Sequence, residues 1–379
     1  MLAFFDQDHF QLRARARQWA EKKLFSSGGE SQPTDDEACR LVRQLGDEGL
    51  LRYALPKQFG GVREEVQARD LCVIREELAR GWALADTMFA VQALGSYPIA
   101  RFGTEEQKQR YLPPLANGTA IAAFALTEPE AGSDVAALKS RAQHRGENYV
   151  LTGNKRFISN AGIADSYVVF ASTAPELADK GISAFVVDAQ NAGLIVKKRI
   201  QVISPHPIGM IAFEGCVVPQ TSLLGNQGEG LKVALVTLDL FRCTVGAAAV
   251  GLAQRALEEA LDYARKRRQF DRPLTEFQGI QFKLAEMATE LEAARLLVYQ
   301  AAWAHDSGSG DAKLKSSMAK LYATEAAQRI VDQALQIHGG VGVVLGSVVE
   351  RLYRDVRALR IYEGTSEIQK IVISRELLK

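Results

Sequence analysis

The stretch RIYEGTSEIQ, residues 360–369, holds one carboxylate, Glu363, between an aromatic residue and a glycine, just after a series of spaced arginines. Two chemistries suit it. Ser366 and Gln369 are spaced as a capping box, so an acid nearby fits ordinary helix-start chemistry. A carboxylate desolvated beside an aromatic ring also has a raised pKa and makes a general base close to neutral pH. Other segments offer binding groups. LTEPEAGSD, 126–134, follows a predicted strand with the Thr127 hydroxyl, a proline-stiffened turn, Gly132, Ser133 and Asp134. That set can hold a flat polar ring and an anion, and it equally suits a solvated turn. In GNKRFISNAG, 153–162, Phe157 and Ser159 stand two apart, which places an aromatic ring and a hydroxyl on one strand face. A planar heterocycle would use that pair, and so would a core phenylalanine beside a satisfied serine.

RKRRQFDRPLTEFQ, 265–278, ends one predicted helix and opens another. Its basic side chains complement a helix dipole, while Arg267 with Gln278 suits a pyrophosphate, because a guanidinium pairs with phosphate bidentately. His338 in QIHGGVG reads as a surface residue at a helix exit. The five histidines show no ligand spacing, so no metal is assigned. No glycine-rich dinucleotide fingerprint, P-loop, Ser-His-Asp or Cys-His pattern stands out.

The elements that must position these residues fall into three zones, expected as domains over 1–119, 120–226 and 227–379. The first is helical by its apolar spacing, with Thr104 and Gln107 spaced as a capping box. The second consists of short segments rich in Val, Ile, Phe and Tyr, separated by Gly, Asn and Pro. It predicts an antiparallel sheet of six or more strands with a hairpin turn at TGN, 152–154. In the third, one apolar stripe runs from Leu231 through Val245 to Ala260, a second from Ile280 to Val298, and a third from Met318 to Leu335. Long helices with short connections predict a bundle, and the order helical, strand-rich, helical is an α+β pattern.

Composition narrows the function further. The chain has 379 residues, 47% hydrophobic and 24% charged, with a net charge of +1, which leaves no electrostatic footprint for nucleic acid. Four scattered cysteines suggest neither zinc nor a disulfide framework. No apolar run is read as a membrane span, and charge appears too early for a signal peptide, so a cytoplasmic location is expected.

Taken together and in this order, TEPEAGSD, GNKRFISNAG, LDLFR with GLAQRALEEALDYARKRRQF, FQGIQ, QIHGGVG and RDVRALRIYEGTSEIQ resemble the acyl-CoA dehydrogenase family of flavoproteins over essentially the whole chain. The resemblance implies a helical N-terminal domain, a middle β domain and a C-terminal four-helix bundle, with FAD as cofactor. Thr127 and Ser159 match residues that hydrogen-bond the flavin ring, and Phe157 matches one stacked against it. Ser133 matches a residue near the pyrophosphate and the acyl-CoA. Arg267, Phe270, Gln278, Gln336 and Gly340 match the set that a neighbouring subunit contributes, which implies a homotetramer or at least a dimer. Thr365 and Glu367 match positions near the adenosine part. Asp239 and Arg242 match residues that meet the pantetheine and CoA portion, with Phe241, Tyr362 and Gly364 also at the substrate.

Glu363 matches the general base that removes the α-proton of the thioester, and the Gly364 N–H matches a donor to its oxygen. Some family members place the base just before the arginine of the long helix, where this chain has Phe241, which accepts no proton. The resemblance implies electron-transfer flavoprotein as acceptor. An oxidase, a dehydrogenase of carrier-protein thioesters and an inactive flavin-binding relative are the alternatives. Two departures bear on substrate and cofactor: Asp271 stands where glycine is usual, and segment 199–219 has two prolines around His206 in place of the family's LGxRGS-like wording.

Overall fold

The computed structural model describes residues 4–25 and 34–379. Helices α1 (Gln7–Lys23), α2 (Asp35–Asp47), α3 (Ala68–Gly81), α4 (Ala83–Phe102) and α5 (Glu105–Ala116) come first. Thr104 caps α5 as its sequence predicts: its hydroxyl accepts from the Gln107 N–H, and the Gln107 side chain accepts from the Thr104 N–H. Strands β1 (Ala122–Ala125), β2 (Arg141–Arg145), β3 (Asn148–Ser159), β4 (Ser166–Ser172), β5 (Ile182–Asp188), β6 (Leu194–Arg199), β7 (Ile208–Pro219) and β8 (Leu223–Leu224) follow. They form one sheet in the order β6-β7-β3-β2-β4-β5-β8, mostly antiparallel, with β1 alongside β4 and parallel to it.

The predicted turn at 152–154 does not reverse the chain. The β2–β3 hairpin closes at Gly146 and Glu147, and β3 runs straight through TGN with a bulge between Leu151 and Gly153. Gly153 sits at φ +141°, where a Cβ would lie 2.7 Å from the Ser140 Cα. Gly153→Ala is therefore expected to cost about 1–3 kcal/mol, read as a lower urea midpoint, because the β2 start must move to make room.

A second bulge between Lys155 and Ile158 shapes the site end of β3. Phe157 there has φ +57°, so Arg156 and Phe157 are both exposed while Ile158 is buried. Lys155 is fully buried and anchors the preceding loop. Its Nζ donates to the Leu126 carbonyl at 3.1 Å and to Glu128 Oε1 at 2.8 Å. Glu128 also accepts from the Lys139 and Ser140 N–H groups. Burial alone would raise the Glu128 pKa, but the Lys155 ammonium and these donors hold it below the ordinary value. The loop carrying Thr127 and Ser133 is thus pinned from beneath, and the Thr127 carbonyl accepts from the Arg156 N–H at 2.9 Å.

Helices α6 (Gly230–Lys266), α7 (Gln278–Asp306) and α8 (Ala312–His338) follow the three apolar stripes, and α9 (Val348–Leu359) and α10 (Ser366–Leu377) complete the bundle. The small and apolar residues of α6 pack against α8, α3 and α7. By length and composition α6 would also suit a membrane span, contrary to the sequence expectation, yet 78% of its most apolar window is buried inside the fold. Between α6 and α7, β9 (Arg268–Gln269) and β10 (Arg272–Pro273) form a small hairpin. Its two turn residues, Phe270 and Asp271, both have positive φ, +51° and +63°. Asp271, where the family usually has glycine, takes up the left-handed backbone this turn requires, a conformation aspartate tolerates better than most residues.

Candidate active site

Glu363 lies in the reversal between α9 and α10, at φ +53°, followed by Gly364 at φ +91°. A non-glycine residue in that region costs of order 1–3 kcal/mol and marks a backbone held in place by its surroundings. Two side chains hold it. Fully buried Lys320 on α8 donates from Nζ to the Gly364 carbonyl at 2.6 Å. Buried Gln369 donates from Nε2 to the carbonyls of Glu363 and Gly364, at 3.3 and 3.0 Å. A Cβ at position 364 would come within 2.6 Å of that amide nitrogen, so glycine keeps the clamp closed. The predicted Ser366–Gln369 capping box is therefore displaced by one residue. Thr365 is the N-cap and accepts from the Ile368 N–H, while Ser366 Oγ donates to Glu325.

The carboxylate is set among opposing charges. Its Oε2 is sealed from solvent and has no hydrogen-bond partner, although the residue as a whole keeps some accessible surface on the cleft. Burial raises its pKa from the ordinary 4.5 to about 7, opposed by Arg75, Lys320 and Arg242 and assisted by Asp86. Arg75 on α3 is itself fully buried. It pairs with Asp86 on α4 through two bonds of 2.8 and 2.9 Å and donates to the Thr244 hydroxyl on α6 at 2.8 Å. Burial lowers the Lys320 pKa to about 8, against the pull of Glu363. Adjacent Tyr362 has its phenol pushed well up by burial.

On α6, Asp239 and Arg242 form an ion pair, and Arg242 is buried with its Nε unpartnered. Phe241 is fully buried, with its ring edge-on to Tyr97 at 6.0 Å between centroids. The Phe241 carbonyl accepts from Thr244, the same hydroxyl that Arg75 reaches, so this turn of α6 borders the base. In the sheet, Phe157 is 49% exposed, with the Arg156 guanidinium 4.9 Å over its ring. Half-buried Ser159 hydrogen-bonds His206 at 3.0 Å. The loop after β6 reaches α9 through Ser204, which donates to Asp355 at 2.8 Å, and through the Ile203 carbonyl, which accepts from Arg354. The sheet and the element that leads into Glu363 are thereby tied together.

A buried carboxylate near neutrality, beside a clamped turn and an open sheet face carrying an aromatic ring and hydroxyls, suits proton abstraction from a ligand lodged between sheet and bundle. The sequence matches, in order, the models of the acyl-CoA dehydrogenase N-terminal domain over residues 6–119, middle domain over 123–216 and C-terminal domain over 228–378. The chain belongs to the acyl-CoA dehydrogenase family. It is 42% identical to the short-chain specific acyl-CoA dehydrogenase of Sus scrofa, over 97% of this chain and 89% of that one. It is 41% identical to a 3-(aryl)acrylate reductase of Clostridium sporogenes, over 99% and 100%. Among solved structures, butyryl-CoA dehydrogenase from Megasphaera elsdenii superposes with a TM-score of 0.94 at 34% identity, covering 99% of each chain.

Within this acyl-CoA dehydrogenase fold, the remaining predicted residues form a second cluster. Arg267, Phe270 and Gln278 lie after the end of α6, and Gln336 and Gly340 lie at the end of α8. The two helix ends are brought together by Tyr263 and His338, stacked at 4.3 Å, so His338 is buried and not the surface residue its sequence suggests. Among the described residues, no hydrogen bond or ring contact joins this cluster to Glu363 or Ser159. Arg267, Phe270, Gln278, Gln336 and Gly340 are all exposed, as are Ser133 and Glu367. The residues that sequence reasoning missed are Arg75, Lys320 and the Ser159 partner His206. For Arg75 the signal was present, a basic residue whose helix-face neighbours Leu71, Cys72, Leu78 and Ala79 are all apolar, whereas Lys320 is flanked on its face by Ser316, Ser317, Ala323 and Thr324 and gives no such contrast.

Proposed function

We propose that this protein catalyses the FAD-dependent α,β-dehydrogenation of an acyl-CoA thioester to the trans-2-enoyl-CoA, with electrons going on to an electron-transfer flavoprotein. One observation carries this reading: Glu363 is a desolvated carboxylate near neutrality with an unpartnered, buried Oε2. The residues present fit FAD. Phe157 offers an exposed ring, the Ser159 hydroxyl follows two residues on in β3, and the loop carrying Thr127 is joined to the residue before Phe157 through the Thr127 carbonyl and the Arg156 N–H. Thr127, Ser133, Phe157, Ser159, Thr365 and Glu367 of one chain would hold it. Arg267, Phe270, Gln278, Gln336 and Gly340 of a second copy would complete its site. The exposed apolar surface of Phe270, Phe282, Val341, Val343 and Leu345 supports a subunit contact there, and a homotetramer is the assembly proposed.

When bound, the flavin supplies the acceptor for the β-hydrogen as hydride. The chain's own part is to acidify and take the α-proton. Lys320 and Gln369 occupy the turn's carbonyls, while the Gly364 N–H has no acceptor among the described residues and is free for the thioester oxygen. A donor fixed there favours the enolate-like charge of the transition state over the neutral carbonyl. Glu363 receives the proton on the carboxylate oxygen left toward the ligand, Oε2 being sealed beneath it, and Arg242, paired with Asp239, places a positive charge beside that carboxylate. Short acyl groups are the proposed substrates, a reading supported by the similarity to short-chain specific and butyryl-CoA dehydrogenases.

Anaerobic mixing of the FAD-loaded protein with a panel of acyl-CoA thioesters tests this. Bleaching of the flavin is expected for short chains and to fade as the chain lengthens. A panel that leaves the flavin oxidised throughout overturns the reading, and turnover under air without added acceptor would instead identify an oxidase.

A further inference from the structure

His206 stands in the segment whose wording departs from the family, and nothing in the reaction above uses it. Its surroundings fix its chemistry. Nδ1 lies 2.9 Å from the Ser204 carbonyl, which can only accept, so Nδ1 carries the hydrogen. In the neutral ring Nε2 is then a bare lone pair. Ser159 Oγ, 3.0 Å away, must donate its only hydrogen to that lone pair. Ser159 is left with lone pairs alone to offer outward. Should His206 take up a proton, Nε2–H becomes the donor, the serine hydrogen is released, and Ser159 can donate outward instead. One titration reverses the hydrogen-bonding polarity of a hydroxyl on the face of β3.

From this geometry we infer that His206 is a positioning residue that sets, through Ser159, whether the protein offers the flavin ring a hydrogen-bond acceptor or a donor. The inference rests on the reading above that Ser159 faces the flavin. Reduction of a flavin adds hydrogen to ring nitrogen, turning an acceptor into a donor. A Ser159 that only accepts therefore favours the reduced flavin, and one that donates favours the oxidised form. Neutral His206 raises the midpoint potential and protonated His206 lowers it, on top of the slope common to flavins.

The groups that face His206 favour the neutral ring. Burial lowers its pKa, the Ser204 carbonyl opposes this, and the positive Arg199 at the end of β6 lowers it further. From α9, Asp355 is reached through the Ser204 hydroxyl, and Arg354 holds the neighbouring Ile203 carbonyl. Ser159 on β3 is the only side chain to which His206 hydrogen-bonds among the described residues.

The test is a dye-coupled potential titration of the FAD-loaded protein between pH 5 and 8.5, with visible spectra, on wild type, Ser159→Ala, His206→Phe and His206→Gln. At high pH, His206→Phe frees the serine hydrogen and is expected to shift the flavin–dye equilibrium about tenfold toward oxidised flavin, about 30 mV for two electrons. His206→Gln retains an amide oxygen that accepts from Ser159 and cannot be protonated. It should therefore keep the high-pH potential of wild type while losing the extra inflection at low pH, which a merely structural role would not produce. Should His206→Phe fail to fold, the glutamine variant decides alone. If Ser159→Ala moves the potential and neither His206 variant changes it or its pH profile, this inference is wrong while the flavin reading stands. If Ser159→Ala itself leaves spectrum and potential unmoved, Ser159 does not face the flavin and both readings of that residue fall.

Discussion

Glu363→Gln is expected to retain FAD and the fold while turnover falls on the order of 10³–10⁴-fold, the loss that accompanies removal of a general base. The amide is nearly isosteric, so the Lys320 and Gln369 contacts, which go to backbone carbonyls, should remain in place. Measurement of single-turnover flavin reduction isolates the step, and near-normal reduction in this variant would remove Glu363 from the role of base. In the wild type, kcat/KM should fall about tenfold per pH unit below the free-enzyme pKa, which lies at about 7.

The same group leaves a stability signature with a definite sign. Its folded pKa of about 7 exceeds the ordinary 4.5, so between those values the native state binds more protons than the unfolded chain. Stability therefore falls as pH rises through that window, by at most about 3 kcal/mol for this group. Glu363→Gln lacks that slope. In urea unfolding, the difference in stability, variant minus wild type, should grow from pH 5 to pH 8, whatever fixed cost the amide brings. A difference that stays constant with pH would mean that Glu363 is not desolvated.

Much of this arrangement was legible because periodicity reports burial. The apolar stripes of α6, α7 and α8 predicted the bundle, and the Thr104–Gln107 spacing predicted the start of α5. What escaped depended on partners distant in sequence. TGN has the composition of a turn, but β7 pairs along both sides of it, with Gly153 opposite Phe213 and the extra residue of the bulge on β7. Ser366 and Gln369 have capping-box spacing, yet Gln369 is drawn to the carbonyls at 363 and 364, leaving Thr365 as the cap. The candidate base was readable from its motif, whereas its electrostatics were not. The charges that tune Glu363 come from α3, α4, α6 and α8, which no local window brings together. The Phe157–Ser159 pair also behaves differently from an ideal strand. The bulge at 155–158 breaks the alternation, so Phe157 is turned out through a left-handed residue while Ser159 reaches His206.

Removing the charge at Lys320 should produce the second large effect. Lys320→Met keeps roughly the volume of a buried side chain but deletes the ammonium that opposes the rise in the Glu363 pKa. The base pKa should then move further upward, on the order of one unit, so that the acid limb of kcat/KM shifts toward alkaline pH. At pH 7 the fraction of ionised base falls accordingly. The Gly364 carbonyl keeps only the Gln369 amide, which loosens the turn and removes part of the alignment between base and thioester. The electrostatic and positional contributions separate in the pH profile. A purely positional defect lowers kcat/KM equally at every pH, whereas loss of the charge displaces the limb and is partly recovered at pH 9. Lys320→Arg, which keeps a positive charge in the site, should hold the limb near its wild-type position even where its larger head group slows turnover. A Lys320→Met profile that superimposes on wild type after scaling would show that Arg75 and Arg242 alone set the proton affinity of Glu363.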